Sequence, residues 1–416
     1  MIGVREAMDR IVAGVSLLGA EEVALMEALG DVLAEDVDSP ITLPARTNSA
    51  MDGFAVRASD VRGATKSSPR RLKVIEEVQA GRLPSKAIGA GEATRVMTGA
   101  PLPEGADGVI RQEDTVFSGD AVIILDDRDA GRNVRFAGED LQRGKRVMDA
   151  GTPLGPAQLG VLASMAMARV RVRRRARVGI LASGDEIVDL DRTSEILAGT
   201  KTASSNSYTL DALIRLAGAV PVPLGIAADT KASVREHLER GVASCDLIVS
   251  TAGVSVGAYD QLRPVLEEMG CTMVVSKVRM RPGSPTSFGV VRRVPWIGLP
   301  GNPVSTMVCF ELFVRPAIRK MQGHTLLYRR TVPAVTEEAL KTPGRLMHFL
   351  RAVVRETPEG WRARLTGPQG SGILTSMTKA NALLIVPEES DEVPVGTTLS
   401  ALLLDDSRSL TVEPPL

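Results

Sequence analysis

Between residues 175 and 322, short apolar runs alternate with amphipathic helical stretches, and this alternation restricts the fold more than any other feature of the chain. The run ARVGILAS (176–183) leads into a Gly-Asp-Glu loop, and the helical SYTLDALIRLAG follows it. Then come PVPLGIA, the helical KASVREHLERGV, CDLIVS, the helical DQLRPVLEEMG, CTMVVS and PWIGL. A single long helix is expected over NPVSTMVCFELFVRPAIRKM (302–321). Strand–helix alternation of this kind predicts a parallel sheet with helices on both faces. Ligands of such sheets bind outside the carboxyl ends of the strands. Within the second helix, Glu236 stands four residues before Arg240, a spacing that favours an ion pair.

A chain of 416 residues is too long for one core, so further domains must flank this one. Val4, Met8, Ile11, Val15 and Leu18 fall on one helical face. A short second helix is expected over residues 21–30, ending near Gly30. From about 40 to 150, the runs RLKVIEEV, DGVIRQED and AVIILDD alternate with Gly, Pro and Asp turns and predict a small β-rich domain. GPAQLGVLASMAMARV (155–170) returns to helix, and RVRVRRRARV (169–178) reads as a strand with one solvated basic face. From 327 onward, FLRAVVR, WRARLT, ALLIVP and LSALLL indicate a second β-rich domain.

Composition excludes several functions. Fifty basic side chains balance fifty acidic ones, so no net field draws nucleic acid or a membrane surface. No apolar run reaches the roughly 20 residues of a membrane span, and the N-terminus lacks a signal-peptide core. A cytoplasmic location is expected. Cys245, Cys271 and Cys309 are far apart and read as reduced core residues. With three histidines, a histidine-rich zinc site is excluded. Any chemistry must rest on carboxylates, amides, hydroxyls, Lys and Arg.

Four loops at strand ends hold such groups: Ser183–Glu186; Asp229–Thr230; Thr251–Gly257, followed by Asp260; and Pro300–Pro303. All four are expected to converge on one pocket. The glycines let backbone amides approach phosphate oxygens, and a following helix N-terminus adds partial positive charge. Glu186, Asp229 and Asp260 offer oxygen ligands suited to Mg²⁺. Bland readings compete at several positions. Asp229-Thr230 reads equally as a helix N-cap, and Asn302-Pro303 as an N-cap and first helical residue. Asp52-Gly53 is a common turn dipeptide, and Asp107 and Asp140 also sit in turn-like sequence.

Nine stretches, taken together, resemble the molybdopterin molybdenumtransferase family, to which the gephyrin E domain is related. They are PARTNSAMDGFAV (44–56), MTGAPLPEGADGVIRQED (97–114), NVRFAGED (133–140), GILASGDEIV (179–188), SNSYTLDALIRLAGA (205–219), DLIVSTAGVSVGAYD (246–260), MRPGSP (280–285), GLPGNPVS (298–305) and SMTKANALLIVP (376–387). They occur in the family's order and span nearly the whole chain. The resemblance implies an α/β plus β fold: an elongated multidomain homodimer with a parallel-sheet α/β molybdopterin-binding domain, a β-rich domain and a C-terminal β-barrel. The expected divisions are 1–45 with 141–174 (N-terminal helices and connecting domain), 46–140 (β-rich), 175–326 (α/β) and 327–416 (barrel).

The reaction implied is insertion of molybdate into adenylylated molybdopterin with Mg²⁺, releasing AMP. The upstream adenylyltransferase and acceptor molybdoenzymes are implied partners. In the family, the cleft lies between the α/β domain of one subunit and the β-rich domain of the other. By resemblance, the catalytic positions fall on Asp52, Thr98, Arg135, Asp140, Glu186, Asp229 and Asp260, with Glu186, Asp229 and Asp260 handling metal and water. Substrate binding is assigned to Gly253, Ser255, Gly257, Lys277, Pro300, Gly301 and Asn302. The molybdate pocket is assigned to Arg281, Ser284, Ser305 and Arg351, and to Ser376 or Ser371.

The chain departs from the family at one point. The usual K-P-G-K-P is here Arg281-Pro282-Gly283-Ser284-Pro285. Arg for Lys keeps the charge with another geometry. Ser284 removes a charge, and one lost charge-assisted contact costs roughly 1.5–3 kcal/mol, about tenfold to over a hundredfold in affinity. Lys277 is the expected compensator. A catalytically weak dimeric scaffold is the competing reading. The sibling adenylyltransferase activity is a third, disfavoured by the added β-rich domains. Tungstate in place of molybdate stays open.

Overall fold

The computed structural model describes residues 1–251, 261–342 and 344–404. The chain forms two compact units. One contains Met1–Ala34, Gly151–Leu159 and the chain from Arg169 onward; the other contains Glu35–Ala150 and Gly160–Ala168.

The first unit is built on a six-stranded sheet: β1 (Arg177–Ser183), β2 (Val220–Ala227), β3 (Leu247–Thr251), β4 (Thr272–Val275), β5 (Ser287–Val291) and β6 (Val294–Leu299), in the spatial order β2-β1-β3-β6-β5-β4. The strands β2, β1, β3 and β6 are mutually parallel, as the alternation predicts. β1 from Val178 and all of β3 are buried continuously, the pattern of strands covered on both faces. Pro221 and Pro223 lack the N–H of a central strand, and β2 is accordingly an edge strand.

The sheet is not wholly parallel, which corrects the expectation. β5 pairs antiparallel with β6, and β4 antiparallel with β5. The β5–β6 turn is Arg292-Arg293, with φ of 46° and 75°. This backbone ordinarily takes Asn-Gly, so the hairpin carries no sequence signal.

Helices cover both faces. Helix α1 (Val4–Ala13), α2 (Ser205–Leu216) and the 303–321 segment pack in one apolar cluster with Val178, Val249 and Ile297. Helix α3 (Lys231–Ser244) and α4 (Leu262–Glu268) pack in another around Trp296. α1 buries Val4, Ala7 and Ile11 and stops at Ala13, so Val15 joins the core from beyond the helix. In α3, Arg240 donates to the Leu224 carbonyl at 2.8 Å, tying the helix to β2.

The expected helix over 302–321 is α5 (Pro303–Cys309) and α6 (Arg315–Met321), separated by a π turn at Phe310–Val314. The turn carries Glu311, which is buried and accepts from the Arg315 and Arg329 guanidiniums, each at 2.6 Å to Oε2. The expected helix over 21–30 is instead a strand, Ala20–Ala24, followed by a 3-10 turn, Leu25–Glu27. The strand pairs antiparallel with Arg169–Arg173, and Arg169 bonds Glu22 at 2.9 Å, so tertiary pairing overrides local helix propensity. In that basic strand Val170 and Val172 are buried and Arg169 and Arg171 exposed, as read from the alternation.

Five further strands, β7 (Thr331–Thr336), β8 (Met347–Thr357), β9 (Gly360–Leu365), β10 (Ala382–Val386) and β11 (Thr398–Leu403), close as β8-β9-β7-β11-β10-β8. This is a small barrel around Val332, Ala352, Ala363, Leu384 and Ala401. Met280–Arg281 pairs in parallel with Met347–His348 of β8. That ladder ties the Arg-Pro-Gly-Ser-Pro segment to the barrel wall.

The second unit holds a six-stranded sheet in the order 108–111, 53–56, 92–96, 70–78, 121–124, 115–118. Its two faces bury Phe54, Leu72 and Ile110, and Ala55, Val96 and Val109, respectively. The cysteines are free. Burial pushes the Cys309 thiol up to about 12, so it stays protonated in the core.

Candidate functional site

Ala227, Ser183, Thr251 and Leu299 are the last residues of four adjacent parallel strands. The four sequence-predicted loops therefore leave one edge of the sheet. Across three strand spacings they line about 14 Å. Residues 252–260 lie outside the described residues, and with them Gly253, Ser255, Gly257 and Asp260.

At one end of that line two loops interlock. The Asp185 amide donates to Asp229 at 3.4 Å, and the Asp229 amide donates to Asp185 at 3.1 Å. Lys201 caps the Asp185 carbonyl at 2.7 Å. Gly184 has φ of 132°, and a methyl group there would stand 2.7 Å from a Glu186 carboxylate oxygen. Glu186 is thus folded over its own turn and is exposed. The bland reading of Asp229 fails in detail: the N-cap of α3 is Thr230, whose hydroxyl accepts from Ser233. The Asp229 carboxylate is left to accept from the Asp185 amide. Among the described residues no group of three acidic, His or Cys side chains could hold a metal. Glu186 and Asp229, carried on these two interlocked loops, offer hard-oxygen donors of a type that suits Mg²⁺.

At the other end of the line, Pro300 and Asn302 open into a cleft of about 620 Å³. Arg281, Ser284, Ser305, Arg351 and Ser371, five of the six residues assigned to oxyanion binding, line it. Asn302 precedes α5 but makes no side-chain cap. Its amide donates to the Ser371 hydroxyl at 3.0 Å, so it serves the cleft wall. Ser305 is buried on the first turn of α5. The Gly301 carbonyl accepts from Asn206 at 2.7 Å.

Arg351 dominates the cleft chemically. It is 1% exposed on β8, and burial holds its guanidinium below the ordinary arginine value. Nε donates to Ser376 at 3.0 Å, and Nη2 donates to the Gly370 carbonyl at 3.0 Å and the Pro368 carbonyl at 3.4 Å. These partners are all neutral, and Nη1 has no hydrogen-bond partner among the described residues. A buried cation held by neutral groups is poised for an anion. The open alternative, Ser371 or Ser376, resolves into two positions. Ser371 lines the cleft, whereas Ser376 lies behind Arg351, donating to Ile373 at 2.6 Å and holding Nε.

Two expectations change. The four loops share an edge, but the walls of this cleft include Pro300 and Asn302 and not Glu186 or Asp229. Lys277 does not line the cleft either; it is exposed, and its carbonyl accepts from Ile2. Sequence reasoning missed Gln369, His348 and Lys341, which also line it. Gln369 accepts from the Arg351 amide at 2.8 Å and donates to the Arg351 carbonyl at 3.1 Å, clamping the backbone that carries the guanidinium. The adjacent G-P-Q-G turn was the available signal.

The second unit places Asp52 before the strand Gly53–Val56. Its carboxylate accepts from the Thr98 amide at 2.6 Å and hydroxyl at 2.7 Å. Arg135 is exposed on the ladder Val134–Arg135, paired with Asn48–Ser49, and Asp140 is exposed with its amide on the Leu43 carbonyl. Asp107 is structural, accepting from the Ala58 amide. The two Thr98 bonds hold the Asp52 carboxyl below the usual carboxylate range. The contribution of a depressed carboxyl is present above its unfolded value and lost as pH falls through the folded one. The Asp52–Thr98 clasp is therefore expected to survive mild acid and open below the ordinary aspartate range. Following the Thr98 amide by NMR checks this; a midpoint at or above the ordinary value contradicts it.

Comparison with known proteins covers nearly the whole chain. Residues 2–166 match the MoeA N-terminal region (domain I and II), 179–320 a probable molybdopterin binding domain, and 333–404 the MoeA C-terminal region (domain IV). The molybdopterin molybdenumtransferase 2 of Mycobacterium tuberculosis is 37% identical over 91% of this chain and 93% of its own. The molybdopterin molybdenumtransferase of Bacillus subtilis is 35% identical over 97% of this chain and 94% of its own. The crystal structure of the molybdopterin biosynthesis MoeA protein from Pyrococcus horikoshii superposes with a TM-score of 0.82 at 30% identity, covering 97% of this chain and 100% of that one. With three family models in order and relatives of this identity along nearly its full length, the chain belongs to the molybdopterin molybdenumtransferase family.

Proposed function

We propose that this chain inserts molybdate into adenylylated molybdopterin with release of AMP, the last step of molybdenum cofactor synthesis. The observation that carries the reading is the buried Arg351, held by neutral partners in a cleft with Arg281, Ser284, Ser305 and Ser371. The guanidiniums of Arg351 and Arg281 and the hydroxyls of Ser305 and Ser371 suit a tetrahedral dianion. The row of strand-end loops, roughly 14 Å long, suits an elongated nucleotide-bearing substrate. In this reading the oxyanion waits at the Pro300 end and the phosphates lie toward Glu186 and Asp229.

Glu186 and Asp229 are the residues that would hold Mg²⁺, with Asp260 assigned to the same task. The ion would supply charge neutralisation at the phosphates. Asp52, Thr98, Arg135 and Asp140 are assigned to the same reaction, Arg135 for phosphate or pterin charge. Gly253, Ser255 and Gly257 would bring backbone amides to phosphate. The working form is taken to be a cytoplasmic homodimer that receives its substrate from the adenylyltransferase and passes the cofactor to apo-molybdoenzymes. Among the described residues no helix is long and apolar enough to cross a membrane.

The test is AMP release from adenylylated molybdopterin, with and without molybdate and Mg²⁺, coupled to activation of a cofactor-free molybdoenzyme. Molybdate-dependent AMP release with activation is expected. Binding without turnover would overturn the insertase and support the scaffold.

A further inference from the structure

Within the reading of the cleft as an oxyanion site, Ser284 poses a problem of charge. Its hydroxyl donates to the Val278 carbonyl at 2.9 Å, and the Val278 amide returns a bond to the Ser284 carbonyl at 2.9 Å. The hydroxyl proton is therefore committed to the loop, and position 284 brings no cation. The Lys and Arg side chains that line the cleft among the described residues are Arg281, Arg351 and Lys341.

Lys341 comes from a two-residue ladder in which Leu340–Lys341 pairs with Glu392–Val393. The backbone on both sides of it is anchored. Leu340 is buried, and Thr342 is buried with its amide on the Asp391 carbonyl at 2.8 Å and its hydroxyl on the Ser390 carbonyl at 2.6 Å. The lysine side chain between them is 83% exposed, and its ion-pair partner, Glu392, is 3.9 Å away and 76% exposed. An exposed pair at that distance restrains the ammonium little. A lysine has the reach and rotational freedom to follow an anion that a fixed guanidinium fork lacks.

We propose that Lys341 supplies the mobile cation that position 284 lacks, leaving Glu392 to close on molybdate once Arg351 has bound it. Charge in the cleft is then restored from the Leu340–Lys341 ladder instead of from the Arg-Pro-Gly-Ser-Pro loop. Lys341 becomes a determinant of oxyanion affinity, whereas Lys277 does not.

The experiment measures molybdate and tungstate binding by calorimetry at two ionic strengths for the full chain and for Lys341→Gln, Lys341→Arg, Ser284→Lys, the double variant Lys341→Gln/Ser284→Lys, and Arg351→Met. Lys341→Gln is expected to weaken binding about tenfold, the cost of one charge-assisted contact, and to flatten the salt dependence. Lys341→Arg should keep most of the affinity. Ser284→Lys should restore it in the Lys341→Gln background. If Lys341→Gln binds like the parent while Arg351→Met does not bind, this inference fails and the oxyanion site stands. If the parent binds neither oxyanion, the reading of the cleft itself fails and this inference with it.

Discussion

Arg351→Met is expected to lower molybdate-dependent turnover by more than a hundredfold at low molybdate while leaving a folded protein. Nη1, which has no hydrogen-bond partner among the described residues, can give an oxyanion two hydrogen bonds. At about 1.5–3 kcal/mol for each charge-assisted bond, their loss amounts to about 3–6 kcal/mol of anion binding. The effect on folding is of a different kind. A buried cation whose partners among the described residues are all neutral is held against its own desolvation, so an apolar side chain of similar length relieves that cost. Against this, the carbonyls of Pro368 and Gly370 lose a donor. Each costs about 1–3 kcal/mol if sealed from water, and the low end applies beside an open cleft. The melting temperature should therefore move by only a few degrees. Arg351→Lys, which keeps the charge but not the fork, should recover part of the activity with a raised KM for molybdate. Steady-state AMP release as a function of molybdate separates these cases. An unchanged molybdate dependence in a folded Arg351→Met protein would reduce the guanidinium to a structural strut.

The parts of the molecule that were legible in the sequence are those where one physical rule acts alone. β1 and β3 read as continuous apolar runs because both faces of a parallel sheet are covered. Val170 and Val172 alternate with arginines because one face of their strand meets a core. Where tertiary context competes with local preference, the sequence misleads. Ala20–Ala24 carries helix formers yet becomes a strand because Arg169–Arg173 offers a ladder and a partner for Glu22. The Arg292-Arg293 hairpin has none of the residues that announce positive φ. The acidic strand-end residues were found by position alone, since a carboxylate just past a parallel strand is the expected place for chemistry. The oxyanion cleft was not legible that way. Arg281 and Arg351 are seventy residues apart, and only the resemblance joined them before the parallel ladder of Met280–Arg281 on β8 gave the physical reason. Gln369 was signalled only by its G-P-Q-G turn, and nothing in the local sequence of Lys341 distinguishes a cleft-lining residue from an ordinary surface one.

Gly283→Ala is expected to damage both stability and oxyanion binding, for reasons that can be separated. Gly283 sits at φ of 109°, outside the region that L side chains adopt, so any substitution is strained by about 1–3 kcal/mol. A methyl group there would also stand 2.4 Å from the Cys309 sulfur and 2.9 Å from Met280 Cε, both buried in the main core. Overpacking of this kind costs about 1–3 kcal/mol more. The loop cannot drift away freely, because the Gly283 carbonyl accepts from the Thr286 hydroxyl at 2.7 Å and its amide at 3.0 Å. The strain is therefore expected to fall on Arg281 and Ser284, and molybdate affinity should drop by more than the stability loss alone explains. Cys309→Ala in the Gly283→Ala background removes the nearer clash and leaves the backbone strain. The double variant should therefore recover part of the lost melting temperature and not all of it, and the coupling between the two sites gives the packing contribution directly. A Gly283→Ala protein that melts and binds oxyanion like its parent would mean that the Arg-Pro-Gly-Ser-Pro turn can rearrange, and the fixed geometry argued for the cleft would fail.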